Sequence, residues 1–135
     1  MKKFYISLLF LFILWGCSDN KLNIELFASG AKISGVNGIH FSPDGYLYAT
    51  SVIGSDISVV DTKTKTILKR YGPEQGVFGP DDVAFNDKGE FYWTTILTGE
   101  VAGFNTKGEK VIAANLGPGV NPITFSDDGR LFVAQ

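Results

Sequence analysis

The chain has 135 residues, 44% hydrophobic and 19% charged, with a formal net charge of −2. That balance excludes a nucleic-acid surface built on bulk positive charge, and the 13% aromatic content excludes a disordered chain. A single cysteine excludes a disulfide scaffold, while 16 glycines point to many tight turns and an all-β fold.

Met1, Lys2 and Lys3 form a cationic start, and Phe4 to Trp15 is an apolar run interrupted only by Ser7. A run of about 12 residues is too short for a stable membrane span and suits the apolar region of a secretory signal. The segment Leu14-Trp15-Gly16-Cys17 then resembles a lipobox, where bacterial lipoproteins are acylated on the cysteine thiol and cleaved just before it. The competing reading is an ordinary hydrophobic helix with an incidental cysteine. The lipobox reading predicts a signal peptide at 1–16, a lipidated Cys17 with a short tether at 17–21, and a domain at 22–135. Each buried acyl methylene would contribute about 0.8 kcal/mol to membrane anchoring. Ser18 stands where an Asp would signal retention in the inner membrane, and Asp19 comes one place later. The expected location is therefore the bacterial cell envelope, lipid-anchored to the outer membrane.

After the tether, Leu22 to Ala28 reads as the end of one structural repeat. Three segments then align without gaps: VNGIHFSPDGYLYAT from Val36, PDDVAFNDKGEFYWT from Pro80 and VNPITFSDDGRLFVA from Val120. Each places a Phe (Phe41, Phe85, Phe125) before a turn closed by glycine (Gly45, Gly89, Gly129), then an apolar-aromatic run. Asp44-Gly45 and Asp128-Gly129 are favoured hairpin pairs, because glycine accepts positive φ without steric cost. Between the copies the spacing predicts strands at Tyr46 to Val52, Ile57 to Asp61 and Thr66 to Tyr71. In the second copy it predicts them at Glu90 to Ile96, Val101 to Asn105 and Lys110 to Ala114. Four short strands every 40 to 45 residues, roughly, is the period of a β-propeller blade. The expected fold class is thus all-β, a β-propeller with about two and a half four-stranded blades present. Propellers close with typically 4–8 blades. The chain is accordingly expected to be the N-terminal piece of a longer protein, with the remaining blades missing.

In a propeller the first strand of each blade lines the central channel, so residues just before those strands converge on one opening. Asn37, Asp81 and Asn121 hold that position in identical register. One carboxylate and two amide oxygens aimed at a common axis suit a hard cation such as Ca2+, which takes oxygen ligands. A zinc site is excluded, because His40 and Cys17 alone cannot build one. The alternative is that Asn and Asp sit before strands because their side chains close Asx turns on nearby backbone amides.

Val36-Asn37-Gly38-Ile39, Gly79-Pro80-Asp81-Asp82-Val83 and Val120-Asn121-Pro122-Ile123 resemble blade starts of the regucalcin/gluconolactonase-like family of six-bladed propellers. The resemblance runs from about Val36 to Gln135. It implies a central divalent ion, Ca2+, held by Asn37, Asp81 and Asn121, with Asp81 as catalytic residue. It further implies hydrolysis of a lactone or ester, the metal polarising the carbonyl while a carboxylate positions the attacking water. The Glu ligand of that family has no counterpart, since Glu25 and Glu74 lie in other contexts. Asp82 is either a surrogate ligand or a turn residue. His40, whose equivalents are Ala84 and Thr124, reads as a packed residue, as do Tyr92 and Trp93. NHL-repeat propellers and streptogramin lyase-like propellers share much of the pattern, and the NHL-like type gives the alternative of a non-catalytic propeller binding a glycan, peptide or protein partner at the envelope.

Overall fold

A computed structural model describes residues 22–27 and 33–135 of the chain. The expected signal peptide, Cys17 and the tether to residue 21 lie outside the described residues, as does Ala28.

Ten strands and one short helix follow in chain order. They are β1 (Val36–Phe41), β2 (Leu47–Ser51), β3 (Asp56–Asp61), β4 (Thr66–Tyr71), a 3-10 helix (Pro73–Gln75), β5 (Val83–Phe85), β6 (Phe91–Thr94), β7 (Glu100–Phe104), β8 (Lys110–Asn115), β9 (Ile123–Phe125) and β10 (Leu131–Val133). They pair as two four-stranded antiparallel meanders, β1-β2-β3-β4 and β5-β6-β7-β8, and a two-stranded sheet of β9 and β10. Register repeats with the sequence: Phe41 faces Leu47, Phe85 faces Phe91 and Phe125 faces Leu131 across the ladder. The first strands β1, β5 and β9 pack side by side, so the three sheets fan out from their inner strands. This is the blade arrangement of a β-propeller.

The first-to-second-strand turns share one construction. Gly45, Gly89 and Gly129 donate their N–H groups to the carbonyls of Ser42, Asn86 and Ser126 at 2.9, 3.1 and 2.8 Å. Only the glycine of each turn has positive φ (88°, 78° and 81°), so the expected two-residue Asp-Gly hairpin is instead a longer loop ending in a left-handed glycine. Residues 22–27 are irregular and carry no strand, with Leu22 88% and Ile24 89% exposed, although Leu22 to Ala28 alternates like one. A strand needs a ladder partner, and no described strand pairs there.

The sheets are joined by apolar packing. Between the first two, Ile57, Val77, Val83, Phe91, Trp93, Ala102 and Phe104 form one buried cluster, with Tyr48, Tyr71 and Phe85 at the margin. Tyr48 meets the Phe85 ring edge-on at 4.8 Å, and Tyr71 lies 5.2 Å from Phe104. Such pairs contribute about 0.5–1.5 kcal/mol each beyond the area they bury. Between the second and third sheets, Ala84 and Val101 pack on Ile123, with Tyr92 and Phe125 edge-on at 5.5 Å. Tyr92 and Trp93 are therefore packing residues, as the sequence predicts.

Candidate metal centre at the first-strand ends

The connection from one blade to the next returns the chain to the inner strand, and the three residues singled out above stand where it does so. Asp81 and Asn121 stand two residues before the first residues of β5 and β9. Asn37 lies just inside β1, at a register irregularity between Val36 and Ile39. The Asp81 N–H donates to the Thr94 carbonyl at 2.8 Å and that of Asn121 to the Ala134 carbonyl at 3.1 Å, so the two have the same backbone setting in successive blades.

Asp81 is 1% exposed. Its Oδ1 accepts a hydrogen bond from Asn37 Nδ2 across the boundary between the first two blades. Its Oδ2 is buried with no hydrogen-bond partner. Burial pushes the Asp81 carboxyl above the ordinary aspartate pKa; the Asn37 hydrogen bond opposes this and the neighbouring Asp82 charge reinforces it. The structure thus brings Asn37 and Asp81 into direct contact, while Asn121 is carried one blade further by main-chain bonds.

The Asx-turn alternative applies to other residues. Asp61, Asn86 and Asn105 accept the N–H of the residue two places on, at 2.8, 3.0 and 2.9 Å, and they sit in turns. Asn37 and Asp81 bond each other instead. Asp82 resolves as a structural residue: Oδ1 accepts the Val83 N–H at 2.9 Å and Oδ2 the Ile123 N–H at 3.2 Å. Both its oxygens are engaged in tying β5 to β9. Glu25 is paired with Lys65 at 3.6 Å, and Glu74 lies in the 3-10 helix. His40 is not the packed residue the sequence predicts: β1 is largely uncovered, and His40 is exposed with its ring 5.8 Å from Phe85.

Two residues that sequence reasoning passed over belong to the same neighbourhood. Thr50 Oγ1, at the end of β2, donates to the Asp81 carbonyl and accepts the Gly38 N–H at 2.9 Å. Thr94 Oγ1, at the end of β6, donates to the Asn121 carbonyl at 2.7 Å and accepts the Asp82 N–H at 3.2 Å. The available signal was the threonine at one place in two aligned copies, set among apolar-aromatic residues.

A groove of about 330 Å³ between the first two sheets is lined by Tyr48, Lys69, Tyr71, Phe91, Phe104 and their flanking turns, and includes none of the three candidate ligands. Burial raises the Tyr48 hydroxyl above the ordinary tyrosine range, helped by Tyr71 and Asp44, which keeps it neutral. Its rings are those of the inter-blade core. Among the described residues, no group of three or more His, Cys, Asp or Glu is placed to hold a metal. Any cation at this centre therefore relies on Asp81 and amide oxygens.

No family model matches the chain, and neither does any curated protein. Solved structures do. Selenomethionine-substituted virginiamycin B lyase from Staphylococcus aureus is similar at 17% identity and a TM-score of 0.65, over 79% of this chain and 36% of that one. Kuenenia stuttgartiensis hydrazine synthase is similar at 21% identity and 0.64, over 83% and 32%. A candidate 6-phosphogluconolactonase from Bacteroides uniformis is similar at 25% identity and 0.54, over 73% and 33%. The chain spans about a third of the length of each. What these likenesses carry is the architecture: the chain has the fold of β-propeller blades.

Proposed function

We propose that this chain is part of an exported, lipid-anchored propeller that holds Ca2+ or another divalent cation at the mouth of its channel and hydrolyses a lactone or related ester. Asn37, Asp81 and Asn121 would hold the ion, and a lipid on Cys17 would tether the protein to the bacterial envelope. The observation that supports the reading is the Asp81 Oδ2, a carboxylate oxygen buried without a donor. Such an atom is costly in a metal-free protein, and a hard cation satisfies it. The donor set fits, being all oxygen and carrying one negative charge.

When bound, the ion would supply polarisation of the ester carbonyl and stabilisation of the developing oxyanion. The chain's own residues do the positioning. Asn37 Nδ2 fixes Asp81 Oδ1, which sets the direction of Oδ2, and the burial of Asp81 keeps bulk water from competing for it. Asp81 also serves to orient the attacking water. The test is hydrolysis of a panel of five- and six-membered aldonolactones by the full-length protein, with Ca2+ or with chelator. Hydrolysis should require the metal, and Asp81→Ala should lower kcat/KM by about 100-fold or more. Metal-independent hydrolysis, or full activity in Asp81→Ala, would overturn the reading.

One observation favours a second reading, a non-catalytic NHL-like propeller binding a glycan, peptide or protein partner. Asp82, the carboxylate beside Asp81, has both oxygens bonded to backbone, which leaves Asp81 to serve as ligand and water-positioning group at once. Elemental analysis separates the two readings, because the binding module needs no stoichiometric cation.

A further inference from the structure

We infer that Thr50 and Thr94 are positioning residues of the cation centre, each fixing one candidate ligand residue relative to the preceding one. The inference rests on the cation reading above, and its geometric part can be tested without it.

Both threonines are fully buried. A threonine hydroxyl has one proton to donate and can accept in return. The Thr50 hydroxyl has two carbonyls within reach, that of Gly38 at 3.1 Å in its own blade and the closer one of Asp81 in the second blade, which takes its proton, while its oxygen accepts the N–H of Gly38, the residue after Asn37. Thr94 repeats this one blade on: its proton goes to the Asn121 carbonyl and its oxygen accepts the N–H of Asp82, the residue after Asp81. The outcome is a continuous run of hydrogen bonds, Asn37-Gly38 to Thr50 to Asp81-Asp82 to Thr94 to Asn121. It spans three blades and touches the backbone at every candidate ligand or its neighbour.

The spacing of the ligands is therefore set by two side chains that need not contact the ion. Close approach at the first junction is enforced on the other side by Gly38. A Cβ there would lie 2.5 Å from Asp82 Oδ1 and 2.7 Å from the Asp81 carbonyl, so no larger residue fits. The third copy has Ala134 at the equivalent place, so the run ends at Asn121. General strand packing would be met equally well by valine, which has the shape of threonine without its hydroxyl.

The experiment compares Thr50→Val and Thr50→Ser with the parent protein by NMR. It follows the side-chain amide signals of Asn37 and the backbone amide signal of Asp82, first without metal and then with added Ca2+. Thr50→Val should displace both sets of signals and weaken Ca2+ binding at least tenfold, and Thr50→Ser should restore all three. A folded Thr50→Val protein with the Asn37 and Asp82 signals unchanged, or a serine variant that behaves like the valine one, would overturn the inference. Should Thr50→Val fail to fold, Thr94→Val gives the same decision: displaced Asn121 amide signals support it, and unchanged ones overturn it. A parent protein that ignores millimolar Ca2+ would count against the cation reading alone, because the metal-free shift on Thr50→Val still reports the positioning.

Discussion

Asp81 combines near-complete burial, one hydrogen bond from Asn37 and one unpartnered oxygen. Its carboxyl is raised, so in the metal-free protein the native state binds a proton more tightly than the unfolded chain does. Stability linked to this group is therefore present below the ordinary aspartate pKa and is lost as pH rises through the raised native value. Asp81→Asn keeps an acceptor for Asn37 and removes the ionisation. It should raise the metal-free melting temperature at pH 7 by a few degrees, since about 1 kcal/mol moves a domain of this size by roughly 4 °C. It should also flatten the pH dependence above pH 4 while abolishing Ca2+ binding, all measurable by calorimetric melting across pH. A second residue-scale case is Lys65, at φ +57° in the β3–β4 turn, where the β7–β8 turn has Gly108 at φ +77°. A left-handed lysine is strained, so Lys65→Gly should stabilise by up to about 1 kcal/mol in urea unfolding.

Each of the first two blades is a four-stranded meander whose fourth strand is largely exposed and whose inner strands carry the packing. Trp93 in β6 has no exposed surface and packs within the core between the first two sheets. Trp93→Ala should cost about 3–5 kcal/mol in chemical denaturation. Gly103 in β7 has no room for a methyl group, because a Cβ would lie 2.7 Å from the Phe91 carbonyl and 2.5 Å from the Tyr92 ring. Gly103→Ala should therefore destabilise by about 1–3 kcal/mol. Strand positions at this scale were legible from the repeat: β4 falls where predicted, and the other predicted strands are within one or two residues of their observed ends. The reason is local, since a Phe, a turn glycine and an apolar-aromatic run determine a hairpin within a short span of chain. Legibility fails where a bond crosses from one blade to the next. Asn37, Asp81 and Asn121 could be found by register alone. The Asn37 to Asp81 bond, the engagement of Asp82 by Ile123 and the threonine bridges join residues 27 to 44 positions apart, and nothing local marks them. Leu22 to Ala28 shows the converse failure, an alternating segment that remains irregular through residue 27 because no described strand pairs with it.

Across the whole molecule, each blade presents its neighbours with two different faces. Val83 and Phe85 of β5 pack against the first blade, and their equivalents in β1, Ile39 and Phe41, are 61% and 59% exposed. Apolar surface of this kind favours association. The isolated 135-residue chain should therefore self-associate at micromolar concentration by analytical ultracentrifugation, and the paired change Ile39→Asp and Phe41→Asp should reduce it. The fan arrangement that exposes this face also brings Asn37 of the first blade against Asp81 of the second, so architecture and candidate chemistry meet at the inner strands. The most direct measurement is isothermal titration of the metal-free protein with Ca2+, in the parent and in Asn37→Ala, Asp81→Asn and Asn121→Ala. Binding of one ion per chain in the parent, lost in Asp81→Asn and weakened in both asparagine variants, is the predicted result. Unchanged Ca2+ binding in Asp81→Asn, or none in the parent, would contradict the account.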